Sequence, residues 1–241
     1  MDGRFGEYRS KADDMSTKIL IIRHGETAWN RDRIFRGTYD IPLNENGKQQ
    51  AGLVAQSLKD IKMDAAYTSP LSRAKESAKI VTEVHGISPI IHDGFIDMDY
   101  GEWTGKEESE VAKLWPDDYA AWTTKPHTVR PPGGTTLKEV FDNSFTAMEE
   151  LAKKHDGKTI AIFSHRVVNK VLIIGALSLG LEHFPFIIQG NCCINEIERI
   201  QNGYLIHSIN DVSHIKNAGI DFKLIFELYK SIIRILLLIA V

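Results

Sequence analysis

A short apolar run that ends in a charged pair constrains this chain more than any other feature. Residues 19–22 read Ile-Leu-Ile-Ile, and Arg23, His24 and Gly25 follow directly. Such a run is typical of an inner strand of a sheet covered on both faces. Charged residues at the carboxyl end of an inner strand lie where open α/β sheets place their ligand sites. The sequence therefore predicts an α/β protein with a site at His24, where Gly25 allows a tight turn and the close approach of a ligand.

The residue types at this strand end point to phosphate chemistry. A histidine has a pKa near neutrality, so its neutral form is available as a nucleophile. The guanidinium of an adjacent arginine is a planar fork that matches phosphate oxygens. An isolated Arg-His pair is most often a solvated surface pair, so this interpretation depends on matching elements further along the chain.

Those elements occur in order downstream, and together they resemble the histidine phosphatase superfamily, also called the phosphoglycerate mutase-like family. The resemblance covers about residues 18–214. Its motifs are Arg23-His24-Gly25 with Asn30, Phe35-Arg36-Gly37, Ser69-Pro70-Leu71-Ser72-Arg73-Ala74, Asp97 four residues before Gly101, and Ser164-His165 after a second apolar run at 159–163. The resemblance implies a three-layer α/β/α sandwich with a mostly parallel sheet, phosphoglycerate mutase-like, in a domain spanning residues 15–215.

The resemblance also implies a role for each motif residue. His24 would attack phosphorus, while Arg23, Arg73 and His165 hold the phosphoryl oxygens. Asp97 would protonate the leaving oxygen. Further substrate donors would come from Asn30, Arg36 and Gly37, and this chain's own Arg166 is a further candidate. No metal or cofactor is implied, because the arginines offset the charge of the phosphate.

Two positions depart from the family pattern. Asp97 stands where the family has a catalytic glutamate, and Asp99 is the alternative acid. Arg166 replaces a glycine after the second histidine. An inward-turned Arg166 would favour substrates with a second anionic group, whereas an outward-turned one would only change local packing.

Three functions are compatible with these motifs. The strings Asp99-Tyr100-Gly101-Glu102-Trp103 and Pro131-Pro132-Gly133-Gly134 resemble the phosphatase branch, whose members hydrolyse small phosphorylated metabolites through a phosphohistidine. The first alternative is a phosphoglycerate mutase. The second is a non-catalytic phosphoester-binding module, suggested by the two departures.

The net charge and the cysteine content indicate which binding partners and which cellular location to expect for this protein. The formal net charge of −3 gives no sign of a nucleic-acid partner. Two adjacent cysteines, Cys192 and Cys193, and a polar segment 1–14 without an apolar signal core predict a cytoplasmic protein. The partner is expected to be a small phosphate ester, and a homodimer is left open.

Both ends of the chain lie outside the motifs. Residues 1–14 predict a disordered extension, with Met15 as an alternative start. Residues 216–241 predict an apolar C-terminal helix. Its uninterrupted part, Ile235–Val241, is too short for the roughly 20 apolar residues that span a bilayer. The tail is therefore not expected to span a membrane, and peripheral attachment is left open.

Local signals predict further details of the fold. Asn44 is expected to cap the helix that follows it, and Thr135 or Thr136 is expected to cap the long helix that ends at Lys154. Ser69 or Ser72 is expected to cap the helix that carries Arg73. Trp115 and Trp122 suggest an aromatic lid over the site. Asn202-Gly203 predicts a hairpin between the last two strands.

Overall fold

The computed structural model describes residues 16–216, which form one six-stranded sheet with helices on both faces. The strands are β1 (Thr17–Arg23), β2 (Ala65–Thr68), β3 (Ile90–Ile91), β4 (Thr159–Ser164), β5 (Ile194–Ile200) and β6 (Gly203–Asp211). The helices are α1 (Ala28–Arg31), α2 (Glu45–Leu58), α3 (Ser72–Glu83), α4 (Glu108–Leu114), α5 (Pro116–Thr124), α6 (Leu137–Lys154), α7 (Arg166–Ala176) and α8 (Ser213–Lys216).

The sheet has the order β3-β2-β4-β1-β5-β6, with β4 and β1 at its centre. β1 pairs with β4, β4 with β2, and β2 with β3, all in parallel. β5 pairs antiparallel with both β1 and β6, so the other five strands of residues 16–216 share one direction. The predicted mostly parallel sheet is confirmed.

Both faces of β1 are buried, each against a different helical layer. Ile19 and Ile21 belong to a core cluster that contains residues of α6 and α7. Leu20 and Ile22 belong to a second cluster that contains residues of α2 and α3. Successive side chains of a strand point to opposite faces of the sheet, so an unbroken apolar run requires a helical layer on each face. The predicted three-layer sandwich is confirmed.

Two of the predicted helix caps are present and one is not. The Asn44 side chain accepts a hydrogen bond from the Gly47 amide at 2.8 Å. Thr136 forms a reciprocal capping box with Glu139 at the start of α6. The N-cap of α3 is Leu71, which has no side-chain cap, so the prediction of Ser69 or Ser72 was wrong. Ser69 is instead used within the site described below.

The predicted aromatic lid is also wrong. Trp115 and Trp122 are partly buried and pack on the core cluster that lies under α6 and α7. The Trp122 ring lies 6.1 Å from that of Trp103, which is fully buried. Trp115 and Trp122 therefore contribute to the core rather than cover the site.

The last two strands form the predicted hairpin. Ile200 pairs with Gly203, so the two turn residues are Gln201 and Asn202, and Gly203 begins β6. Gly203 has a φ of +143°, which favours glycine. The glycine of the Asn-Gly signal thus lies one position later in the turn than expected.

The predicted extension 1–14 and the predicted C-terminal helix, apart from Lys216, lie outside the described residues. None of the helices within residues 16–216 has the length and apolar character needed to cross a membrane.

Candidate active site

The two central parallel strands bring two histidines together. Arg23 ends β1 opposite Ser164, which ends β4. His24 directly follows β1, and His165 directly follows β4. Their ring centroids are 5.3 Å apart, and both side chains are fully buried. The carboxyl ends of β1 and β4 therefore present the paired histidines that the motifs predicted.

The hydrogen bonds of His24 define which nitrogen can act as a nucleophile. His24 Nδ1 lies 2.6 Å from the carbonyl oxygen of Gly25. A carbonyl can only accept, so Nδ1 carries the proton and Nε2 carries the lone pair of a neutral ring. His24 Nε2 is buried and has no hydrogen-bond partner among residues 16–216. This atom is therefore available to attack an electrophile.

The surroundings keep both rings neutral. Burial, followed by the positive charges of Arg73 and Arg23, holds the pKa of His24 well below its usual value of 6.5. Burial, followed by Arg73 and Arg36, lowers the pKa of His165 in the same direction. Burial and nearby cations both disfavour a second positive charge, so the two effects add.

These lowered pKa values predict a loss of stability in acid. Below pH 6.5 the unfolded chain binds protons at His24 and His165 that the folded chain does not bind. The free energy of unfolding therefore falls as pH drops below 6.5, by up to about 1.4 kcal/mol per pH unit for each histidine. Urea unfolding in a buffer without phosphate or sulfate measures this free energy for the wild type and for His165→Asn at pH 7.5, 6.5 and 5.5. The variant lacks one of the two histidines, so its free energy of unfolding is expected to fall less steeply below pH 6.5. An unchanged pH dependence in the variant would contradict the prediction.

Arg73 is held by main-chain carbonyls. It is the second residue of α3 and is fully buried. Its Nη1 donates to Tyr39 O at 2.9 Å and its Nη2 donates to Gly37 O at 2.8 Å. Gly37 has a φ of +54°, and a Cβ there would lie 2.8 Å from the carbonyl oxygen of Met98. The main-chain carbonyl that orients Arg73 thus comes from a residue, Gly37, whose backbone conformation favours glycine.

Asp97 contacts both Arg73 and His165. Its Oδ2 lies 3.1 Å from Arg73 Nη2 and 3.6 Å from His165 Nδ1, and the residue is buried. Asp99, the alternative acid, accepts the Gly101 amide at 2.9 Å and is not among the residues that line the cavity described next. The geometry therefore favours Asp97 over Asp99 as the acid.

An open cavity lies beside this cluster and contains most of the remaining predicted residues. It is lined by Trp29, Asn30, Arg33, Ile34, Phe35, Arg36, Gly37, Asp97, Tyr100, Glu108, Arg166 and Val167. Asp97 lines this cavity and also contacts the buried Arg73 and His165, so it connects the cavity to the histidine cluster. No three His, Cys, Asp or Glu side chains of the described region come together in a way that could hold a metal ion.

The polar residues of the cavity present mainly donors. Asn30 Oδ1 accepts from Thr27 N and Thr27 Oγ1, both at 3.0 Å, while Asn30 Nδ2 has no partner within residues 16–216. Burial, followed by Arg23 and Arg73, lowers the pKa of Arg36 to about 9. Arg166 lines the cavity together with the buried Tyr100. The arrangement suits an anionic ligand.

Three contributors to this arrangement were missed by the sequence analysis. Arg23 Nη1 donates to Gln189 O at 2.8 Å. Ser69 Oγ lies 2.7 Å from His165 Nε2, and Asn191 Nδ2 donates to His24 O at 3.3 Å. Ser69 lies in the string that contains Arg73, so a role there could have been expected. Gln189 and Asn191 lie in a loop without a motif.

The reason for a glycine after His24 also differs from the prediction. A Cβ on Gly25 would lie 2.3 Å from the carbonyl oxygen of Gly47 in the first turn of α2. The close approach that the structure shows at Gly25 is therefore between two main-chain segments. This packing holds the loop after β1 against α2.

The comparisons with known proteins cover nearly all of the described residues. The chain is 31% identical to phosphoserine phosphatase 1 of Hydrogenobacter thermophilus over 198 residues, which is 82% of this chain and 94% of the relative. It is 31% identical to phosphoglycerate mutase-like protein 4 of Arabidopsis thaliana, covering 88% of this chain and 94% of the relative. A phosphoserine phosphatase mutant from Entamoeba histolytica, solved in complex with phosphoserine, superposes with a TM-score of 0.75 at 27% identity, covering 83% of this chain and 99% of that one. Residues 19–212 match the model of the histidine phosphatase superfamily (branch 1), and the chain belongs to that family.

Proposed function

We propose that this enzyme hydrolyses small phosphomonoesters through a phosphohistidine on His24. The observation that carries the proposal is the neutral, buried His24 with an available Nε2, placed next to His165 and a cluster of arginines. Phosphoserine phosphatases among the relatives support hydrolysis as the reaction.

In the first step, His24 Nε2 attacks phosphorus in line with the ester oxygen. The N–P bond forms as the P–O bond to the leaving group breaks, and Asp97 in its protonated form gives its proton to that oxygen. Arg23, Arg73 and His165 hold the equatorial oxygens. Positioning and preorganised electrostatic stabilisation are the main catalytic devices of phosphoryl transfer, because the transition state spreads negative charge over these oxygens.

In the second step, water attacks the phosphohistidine. Asp97, now a carboxylate, accepts a proton from the water as the O–P bond forms and the N–P bond breaks. Inorganic phosphate leaves, and His24 returns to its neutral form. The hydrogen bond from Nδ1 to Gly25 O keeps the same tautomer available for the next cycle.

The two alternatives make different predictions for one assay. The enzyme is incubated with p-nitrophenyl phosphate and, separately, with 3-phosphoglycerate plus bisphosphoglycerate. Release of inorganic phosphate supports the hydrolase, whereas formation of 2-phosphoglycerate without net phosphate release supports the mutase. Binding of either compound without turnover would support the non-catalytic module and overturn the proposal.

We further propose that the preferred substrate has a second anionic group, such as the carboxylate of phosphoserine. Arg36 and Arg166 both line the cavity beside Asp97, so the side of the site that would receive the alcohol part of the ester is cationic. The solved relative bound to phosphoserine supports this substrate class.

Replacing Arg166 tests this preference. Arg166→Gly is expected to lower kcat/KM for phosphoserine relative to propyl phosphate by about ten- to a hundredfold, because a charge-assisted contact with the carboxylate is lost. Arg31→Gly removes an exposed arginine that does not line the cavity and is the matched control. If the ratio of the two kcat/KM values is the same in Arg166→Gly and the wild type, Arg166 does not select substrate charge.

A further inference from the structure

We propose that Gln189 and Asn195 are positioning residues for Arg23, acting through a buried pair of reciprocal amide hydrogen bonds. The inference rests on the proposed function, in which Arg23 holds a phosphoryl oxygen. It concerns two residues that no motif identified.

The contact between Arg23 and the loop before β5 is the first observation. Arg23 Nη1 donates to the carbonyl oxygen of Gln189 at 2.8 Å, and both residues are buried. Residues 187–190 are neither helix nor strand, so no ladder of main-chain hydrogen bonds fixes the position of this carbonyl, and the Gly190 amide of the same peptide unit donates to the Asn210 side chain at 2.7 Å. Side chains therefore have to hold this loop if the Arg23 guanidinium is to keep one orientation.

The side chains of Gln189 and Asn195 supply that restraint. Gln189 Nε2 donates to Asn195 Oδ1 at 2.7 Å, and Asn195 Nδ2 donates to Gln189 Oε1 at 2.9 Å. The two amides thus form a closed ring of two hydrogen bonds. Asn195 is fully buried, so neither bond competes with water.

Asn195 connects this ring to the strand that carries Arg23. It lies on β5 opposite Ile21 of β1, and its Nδ2 also donates to Ile21 O at 2.8 Å. Its Oδ1 accepts from the Asn210 amide at 2.8 Å, which connects β6 as well. The Asn195 side chain therefore connects the Gln189 side chain to β1 at Ile21 and to β6 at Asn210.

Packing alone does not explain a polar pair at this place. The β5 neighbours Ile194 and Ile197 are buried and apolar, and two apolar side chains could fill the same volume. Burying two amides is tolerated because their hydrogen bonds are made, and these bonds lead to the two main-chain segments that flank the Arg23 side chain. The guanidinium is thus oriented before substrate binds, which avoids an entropic cost during turnover.

A double-mutant cycle tests the proposal. Gln189→Met removes the side-chain amide and keeps the main-chain carbonyl and a similar volume. It is expected to lower kcat/KM by about ten- to a hundredfold in the wild-type background. In an Arg23→Ala background the same change is expected to have less than about a twofold effect, because the group that it positions is absent. Gln189→Glu, which retains the acceptor for Asn195 Nδ2, is expected to recover part of the activity.

Ser144→Ala is the matched control for a purely structural effect. Ser144 is fully buried on α6 and donates to Val140 O at 2.7 Å, away from Arg23. Its effect on kcat/KM, whatever its size, is expected to be the same in both backgrounds. If Gln189→Met does not fold, Asn195→Asp takes its place in the cycle, since it removes the donor to Gln189 and keeps Oδ1.

Each outcome of the cycle decides the inference. Equal effects of the Gln189 variant in both backgrounds, or no effect in the wild type, would overturn the positioning role while leaving the proposed function intact. Full activity of Arg23→Ala would instead remove Arg23 from the proposed function. The two failures are therefore distinguishable.

Discussion

His24→Ala is expected to abolish turnover, with a loss of at least about a thousandfold for every phosphomonoester. The variant removes the only ring nitrogen that the proposed mechanism uses to form the N–P bond. It also removes the covalent intermediate. Rapid acid-free quenching of the wild type with radiolabelled substrate should show phosphate bound to protein that is stable to base and labile to acid, and the variant should show none.

The control for this variant is His183→Ala. His183 is exposed and does not line the cavity, so its replacement should leave kcat/KM and the labelled intermediate unchanged. A His24→Ala enzyme that retains substantial phosphatase activity would show that another group is the nucleophile. His165, 5.3 Å away between ring centroids, would then be the first candidate.

The main parts of the site could be predicted because each lies at a strand end or a helix start with its own local signal. Arg23 and His24 follow an apolar run, His165 follows another, and Arg73 lies in the first turn of α3. Adjacent parallel strands end at the same edge of a sheet, so these local signals were sufficient to place the residues together. The three-layer architecture followed from the same unbroken apolar runs.

The supporting contacts could not be predicted because they depend on tertiary geometry. Gln189 reaches Arg23 across 166 positions of sequence, and its role is carried by a main-chain carbonyl that any residue type has. Ser69 was expected to cap α3, but its hydroxyl hydrogen-bonds His165 instead. A serine can cap a helix or bind another side chain, and the sequence alone does not show which of these roles it has. The position of His165 in the folded structure decides the role of Ser69.

The prediction for Trp115, which lies between α4 and α5, and for Trp122 of α5 shows a related limit. The sequence suggests a lid over the site at Trp115 and Trp122. In the structure they pack on the buried Trp103 and its neighbours. Large aromatic side chains are most often core residues, and the sequence provides no periodic pattern in these short helices that distinguishes the two positions.

Asp97→Asn is expected to lower turnover in a way that depends on the leaving group. For an alkyl phosphate such as phosphoserine, loss of the general acid should reduce kcat/KM by about a hundred- to ten-thousandfold. For p-nitrophenyl phosphate, whose leaving group needs little protonation, the loss should be much smaller. A plot of log kcat/KM against the pKa of the leaving alcohol should therefore be steeper for the variant than for the wild type.

Asp99→Asn is the matched control, because it makes the same chemical change two residues away. Asp99 stabilises the turn at Gly101 and does not line the cavity, so its replacement should lower activity equally for both leaving groups and far less than Asp97→Asn does for alkyl phosphates. Asp97→Asn also removes the negative charge that pairs with Arg73, a loss that would affect all substrates alike. The dependence of kcat/KM on the leaving group is therefore the measurement that distinguishes a role of Asp97 as the general acid from a role as the ion-pair partner of Arg73. If Asp99→Asn shows the steeper dependence, the acid lies two residues later than proposed.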